Sequence, residues 1–413
     1  MTKLAEQARH YVLEYFNAAP DEYIVIFTSN ASGALKLVGE AYPFASDGRY
    51  LLTFDNHNSV NGIREFAWAQ GADVTYLPLL APELRVDERL LMAELDRTTS
   101  DCHNLFAYPA QSNFSGAQHP LEWISQAQAR GRDVLLDAAA FVPTNRLDLS
   151  RWHPDLVSLS FYKIFGYPTG IGALLARKAA LNKLRRPWFA GGTISIASVQ
   201  GRGWHYLLPN EAGFEDGTIN YLGLPAVEIG LRYIADIGIE TIHARVVCLI
   251  GWLLDTLLAL RHRGGGRLVR IYGPIEKQRR GGTIAFNFLD RDGAPHDYRR
   301  IEALAAEARI SLRTGCFCNP GAGEIAHNVS RAEMAQCFTT KEPMSFDQFF
   351  ALIQALGNGK NASTVRISVG LATTFADVYR FVQFARGFLD KTVADIGPAT
   401  ADLAHAPATR DAS

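Results

Sequence analysis

Lys163 closes a run, Leu156-Val157-Ser158-Leu159-Ser160-Phe161-Tyr162-Lys163, that is otherwise nearly free of charge, and Ile164-Phe165-Gly166 turns the chain away after it. Burial disfavours an ammonium, so a lysine ending an apolar strand can supply the neutral amine that imine formation with a carbonyl requires. Taken alone, the same residue equally suits a side chain that snorkels to water at a strand end. Leu135-Leu136-Asp137-Ala138 places a carboxylate at the end of another apolar strand. There it can hold a pyridine nitrogen protonated, as pyridoxal phosphate needs, or simply cap the next helix.

Phosphate is bound by backbone donors and hydroxyls at a helix N-terminus, and Phe27-Thr28-Ser29-Asn30-Ala31-Ser32-Gly33 supplies both after the first strand. An ordinary Ser/Asn helix cap reads the same way. His57 follows the next strand and is able to stack on a flat ring or to sit as a turn histidine. Two thiols flank Phe317 in Arg313-Thr314-Gly315-Cys316-Phe317-Cys318-Asn319-Pro320. A flexible, exposed thiol beside cations ionises readily, whereas a buried one is inert. The remaining cysteines and histidines offer no regular second pair, so a metal site is not expected. Arg366, inside the apolar strand Val365-Arg366-Ile367, requires an anion; a substrate carboxylate or a structural salt bridge would serve.

The elements that must position these residues alternate along the chain. Strands are expected near 23–28, 50–54, 73–77, 104–108, 133–137, 155–161 and 171–176, with helices near 30–42, 58–69, 87–96 and 120–129. Such alternation predicts an α/β fold with a mostly parallel central sheet, whose ligands lie beyond the carboxyl ends of the strands. Residues 1–222 form this large domain. Residues 223–390 read as a smaller α+β domain carrying the cysteine loop, with strands near 268–273, 282–289, 310–313 and 364–369. An Ala/Pro/Thr-rich tail is expected at 391–413.

Bulk composition excludes some classes. Lys plus Arg is 41 against 42 Asp plus Glu, so no global field favours nucleic acid or an acidic membrane. The N-terminus lacks the apolar core of a secretory signal, and Leu249 to Leu260 is shorter than the roughly 18 residues of a membrane span. Five sparse cysteines argue for a reducing compartment, hence the cytoplasm.

Together these motifs resemble the class V aminotransferase family of fold type I pyridoxal phosphate enzymes and, within it, the N-terminal cysteine desulfurase domain of molybdenum cofactor sulfurases. The likeness is carried by residues 104–116, Ser160 to Gly170, Phe214-Glu215-Asp216-Gly217-Thr218-Ile219 and Arg313 to Gly321. The resemblance implies pyridoxal 5'-phosphate as cofactor, Lys163 as Schiff-base lysine, Asp137 as partner of the pyridine nitrogen and His57 as ring-stacking residue. It further implies that Ala31, Ser32 and Ser160 hold the phosphate, that Thr218 reaches it from the neighbouring subunit of a homodimer, and that Asn113 meets the cofactor's phenolic oxygen or the substrate. Arg366 clamps the carboxylate of an amino acid, L-cysteine, and Cys318 takes its sulfur as a persulfide for a sulfur acceptor, releasing alanine.

Against the family pattern an N-terminal arm is expected to be missing. Ala140 and Tyr162 replace a glutamine and a histidine of desulfurases, and the second sulfurase domain is not expected. Carbon–sulfur lysis or transamination with incidental thiols is the alternative chemistry, and a non-catalytic scaffold or partner-dependent subunit the alternative class.

Overall fold

The structure, a computed structural model, describes residues 2–97, 102–167, 169–339, 343–356 and 363–397. Strands β1 (Tyr23–Thr28), β2 (Arg49–Thr53), β3 (Asp73–Leu77), β4 (Asn104–Pro109), β5 (Arg132–Asp137), β6 (Leu156–Ser160) and β7 (Gly172–Arg177) build the central sheet in the order β1-β7-β6-β5-β4-β2-β3. Neighbours pair in parallel except at β7, which runs antiparallel to both β1 and β6. Side chains alternate between faces along a strand. Phe106, Tyr108, Val134, Leu136, Val157 and Leu159 accordingly enter one core. Leu105, Ala107, Leu135 and Leu156 enter the other. Burial on both faces explains why these strands are continuously apolar.

Helix α1 (Thr2–Tyr15) lies over the first core and α2 (Ala31–Ala41) over the second. The strand expected to end in Lys163 stops at Ser160; a short helix, α3 (Phe161–Phe165), carries the lysine and is closed by Gly166 in the left-handed region at φ 83°. The helix expected over 58–69 divides at Gly62 into Asn58–Asn61 and Ile63–Ala69. Within the Gly-rich passage after β7, Ile194–Ala197 and His205–Leu207 form a hairpin that composition did not reveal.

Helices α4 (Leu224–Ile237) and α5 (Ile239–Ala259) follow. By length and mean hydropathy α5 could cross a bilayer, because it begins ten residues before the apolar stretch read from sequence. Its apolar face, from Ile242 through Val246, Ile250, Leu253 and Leu257, is instead buried in the core.

A second sheet, antiparallel throughout, orders β8 (Val269–Tyr272), β9 (Thr283–Phe288), β10 (Arg313–Gly315) and β11 (Thr364–Ser368) as β8-β9-β11-β10. The strand expected at 310–313 thus starts where that range ends. Beyond β10 the cysteine loop leads into α6 (Pro320–Ala326), and α7 (Phe375–Arg386) lays Phe381 and Phe384 against Phe288. Residues 391–397 are seated rather than frayed: Val393 N donates to Asp290, and Arg300 Nε to Ile396 O. The rest of the expected tail, 398–413, lies outside the described residues.

Candidate active site

The antiparallel β7 makes β1 parallel to β6, so β1, β2, β4, β5 and β6 all end at one edge of the sheet. Ala31 and Ser32, His57 and Asn113 follow the ends of β1, β2 and β4, while Asp137 and Ser160 close β5 and β6, with Lys163 just beyond. Register brings Thr28 and Ser160 to either side of Gly172. A Cβ at Gly172 would lie 2.6 Å from both Asn30 Cα and Leu159 O, so only glycine permits this approach. In consequence Ala31 N donates to Ser160 Oγ at 3.0 Å. Asn30 caps α2 by accepting from Gly33 N at 2.8 Å, and Ser32 Oγ lies 2.6 Å from Ser59 Oγ. An α-helix N-terminus flanked by three hydroxyls is an anion site.

Asp137 is buried. Its Oδ1 accepts from Ala139 N at 3.1 Å and Ser158 Oγ at 3.0 Å, while Oδ2 accepts no hydrogen bond among the described residues. His57 Nδ1 accepts from Ser59 N at 3.1 Å, which fixes the ring and leaves the proton of the neutral form on Nε2. Burial holds the His57 pKa below the ordinary value against the opposing pull of Asp137.

Lys163 departs from the burial expected at the end of an apolar strand. The residue is exposed, although protein surrounds the amine closely enough that burial lowers its pKa. Arg366 adds repulsion to the effect of burial, and the amine lies 6.0 Å from the Tyr162 ring centroid. Asp137 and Cys318 oppose the shift, so all three side chains act on one amine.

Arg366 Nη1 donates to Asn113 O at 2.9 Å, and its guanidinium stacks 4.6 Å from the Phe317 ring centroid. Nε has no hydrogen-bond partner, and no ion pair to Arg366 occurs among the described residues. Burial and the neighbouring Arg313 bring its pKa down to about 10, the signature of a cation kept short of counter-charge.

Cys318 is exposed and Cys316 half-buried, with burial pushing the Cys316 thiol up. Hydrogen bonds tie the loop bearing them to the loops after β2 and β4. Asn113 Nδ2 donates to Phe317 O at 2.8 Å, Asn58 N to Cys318 O at 2.7 Å, and Asn319 Nδ2 to Asp55 O at 2.6 Å and Asn113 Oδ1 at 2.8 Å. Asn113 thus spends most of its amide on the cysteine loop. Sequence reasoning passed over Asn319, and also Asp55, whose buried carboxylate meets His119 Nε2 at 2.9 Å beneath that loop. The one available signal was the Asn-Pro pair, which marks a helix cap. Thr218 stands apart: it lines a cavity of about 410 Å³ with Thr28, Ser29, Gly33 and Lys36 of the same chain, and Lys163 is not part of that wall.

A cofactor carrying a phosphate, an aldehyde and a pyridine nitrogen fits this donor set. Helix α2 and Ser160 would meet the anion, Lys163 would take the carbonyl carbon, and Asp137 Oδ2, which accepts no hydrogen bond among the described residues, would accept from a ring N–H. Fold and site together define a fold type I pyridoxal phosphate enzyme.

Residues 1–381 match the Aminotransferase class-V family, and the chain belongs to it. Among curated proteins it is similar to the molybdenum cofactor sulfurase of Arabidopsis thaliana, 34% identical over 92% of this chain and 50% of that one. It is also similar to molybdenum cofactor sulfurase 3 of Aedes aegypti, 36% identical over 95% and 52%. The chain spans about half the length of these relatives. Its fold matches the apo structure of a cysteine desulfurase from Thermococcus onnurineus NA1 with a TM-score of 0.72 at 23% identity, covering 94% of this chain and 84% of that one.

Proposed function

We propose that this chain desulfurates L-cysteine, forming a persulfide on Cys318 and releasing alanine, as the sulfurtransferase part of a molybdenum cofactor sulfurase-like enzyme. The observation that carries the reading is that Lys163 lies within electrostatic reach of the buried Asp137, of Arg366, which makes no ion pair among the described residues, and of the exposed Cys318. Bound pyridoxal phosphate supplies an electron sink for the amino acid's α-carbon. Arg366 holds the substrate carboxylate, Asp137 Oδ2 keeps the ring nitrogen protonated, and the Lys163 amine moves protons at the α- and β-carbons. Cys318 Sγ attacks the substrate sulfur: an S–S bond forms, the Cβ–S bond breaks, and a proton completes alanine.

The exposed apolar residues Trp188, Ile196, Trp204, Tyr206, Leu222 and Ile229, gathered in one stretch of chain around the hairpin and α4, support a homodimer. A sedimentation mass of twice the chain is expected. Five free thiols support a cytoplasmic setting. The acceptor of the sulfur is proposed only as a nucleophile able to take it from Cys318.

The deciding experiment incubates cofactor-loaded protein with L-cysteine, counts alanine and maps persulfide by peptide mass. Alanine with a persulfide at Cys318 is expected, and Cys318→Ala should abolish both. Undiminished alanine from Cys318→Ala would exclude the persulfide route, whereas pyruvate with ammonia and sulfide, or mercaptopyruvate, in place of alanine would mark lyase or transaminase chemistry.

A further inference from the structure

The turn carrying Cys318 is closed by Asn319 N donating to Cys316 O at 3.0 Å, and its two central residues, Phe317 and Cys318, sit in the left-handed region at φ 56° and 53°. Two mirror-image turn positions in succession suit glycine or asparagine, not phenylalanine and cysteine. By itself this segment would abandon the turn, so contacts from outside must hold it. Those contacts come from loops of the first sheet, Asp55 to Asn58 and Asn113, whereas the turn follows β10 of the second.

Asn319 is the centre of the attachment. It is fully buried. Its Nδ2 spans Asp55 O at 2.6 Å and Asn113 Oδ1 at 2.8 Å, using both amide hydrogens, while Oδ1 accepts from Ala322 N at 3.3 Å to cap α6. Asp55 stands two residues before His57, and Asn113 carries Arg366 on its carbonyl. One side chain thereby ties the thiol's backbone to the ring-stacking loop and to the carboxylate clamp.

We propose that Asn319 is the positioning residue of the sulfur-transfer step. It holds Cys318 in its left-handed turn against the His57 and Asn113 loops and takes no part in binding cofactor or amino acid. The inference rests on the desulfurase reading for its kinetic consequence but not for its structural one.

Asn319→Ser separates the two jobs of the side chain, since a serine hydroxyl still caps α6 but cannot donate to both Asp55 and Asn113. In cofactor-loaded protein the visible absorbance and its change on adding L-cysteine should be those of the parent, and KM should stay within twofold. The kcat for alanine should fall at least tenfold. Hydrogen exchange provides a readout independent of turnover: peptides covering 54–61 and 313–323 should exchange at least tenfold faster in Asn319→Ser, with the β4–β6 strands unaltered.

An unchanged kcat with faster exchange would overturn the catalytic part of the proposal, and unchanged exchange would overturn the clasp itself. Loss of the absorbance change together with kcat would overturn it as well, by showing that Asn319 supports the amino-acid site. Should the parent protein make no alanine, the desulfurase reading fails and the exchange experiment alone still decides whether Asn319 holds the turn.

Discussion

At Lys163 burial and Arg366 favour the neutral amine, while Asp137 and Cys318 favour the ammonium. Capture of the cofactor aldehyde needs the neutral form, so its rate should rise with pH through a midpoint below the roughly 10.4 of a free lysine. Asp137→Asn should move that midpoint down and Arg366→Gln should move it up, each measured by stopped-flow absorbance on apo-protein mixed with pyridoxal phosphate. Arg366 provides a second residue-scale expectation. Replacing a charged bidentate donor to a carboxylate costs about 1.5–3 kcal/mol, so Arg366→Ala should raise KM for L-cysteine by roughly 10- to 150-fold while the cofactor's absorbance persists. These residues were legible because each is a polar type in an apolar run. Asn319 was not, since asparagine before proline is ordinary and only its burial reveals a different task.

Two elements owe their placement to single residues. Gly172 opens β7 where the α2 cap and Leu159 press on it, and Gly172→Ala would push Asn30 and its anion-binding turn aside. A loss of about 1–3 kcal/mol in urea unfolding, with a cofactor affinity at least tenfold weaker by fluorescence titration, is expected. Helix α1 is fastened differently. Arg9 Nη1 and Nη2 reach Glu215 at 2.9 and 3.2 Å, and the same carboxylate accepts from Phe27 N at 2.7 Å, so α1, β1 and the loop approaching Thr218 meet at one buried ion pair. Glu215→Ala strands a buried guanidinium and should cost on the order of 3–5 kcal/mol, measured as a lowered urea midpoint. The strands around these contacts were readable from apolar runs bounded by turn residues. Reversal of β7, the helical seat of Lys163 and the hairpin after Ile194 were not, because neighbouring strands and glycine turns decide them.

Across the whole molecule, His327 reports on the union of α6 with the second sheet. It is buried, lies 2.7 Å from Thr364 Oγ1 on β11, packs edge-on against Tyr272 of β8, and burial with nearby Arg270 depresses its pKa to about 4. Unfolding frees the ring to take up a proton near pH 6.5. Between that pH and 4 the unfolded chain holds more protons than the folded one, so stability rises with pH across the window and is lost as pH falls through it. The loss is on the order of 3 kcal/mol by pH 4. Urea unfolding at pH 7 and at pH 4 should therefore show a smaller difference for His327→Gln than for the parent. Sequence by itself determined the α/β class, the strands of the large sheet and the chemical types at Lys163, Asp137, Arg366 and Cys318, because hydrophobic periodicity and misplaced charge are local signals. Only the tertiary structure decided that these types meet. The bonds from Asn319 to Asp55 and from Arg366 to Asn113 join residues 264 and 253 positions apart, and such closures follow from sheet order and strand direction, which no local pattern encodes.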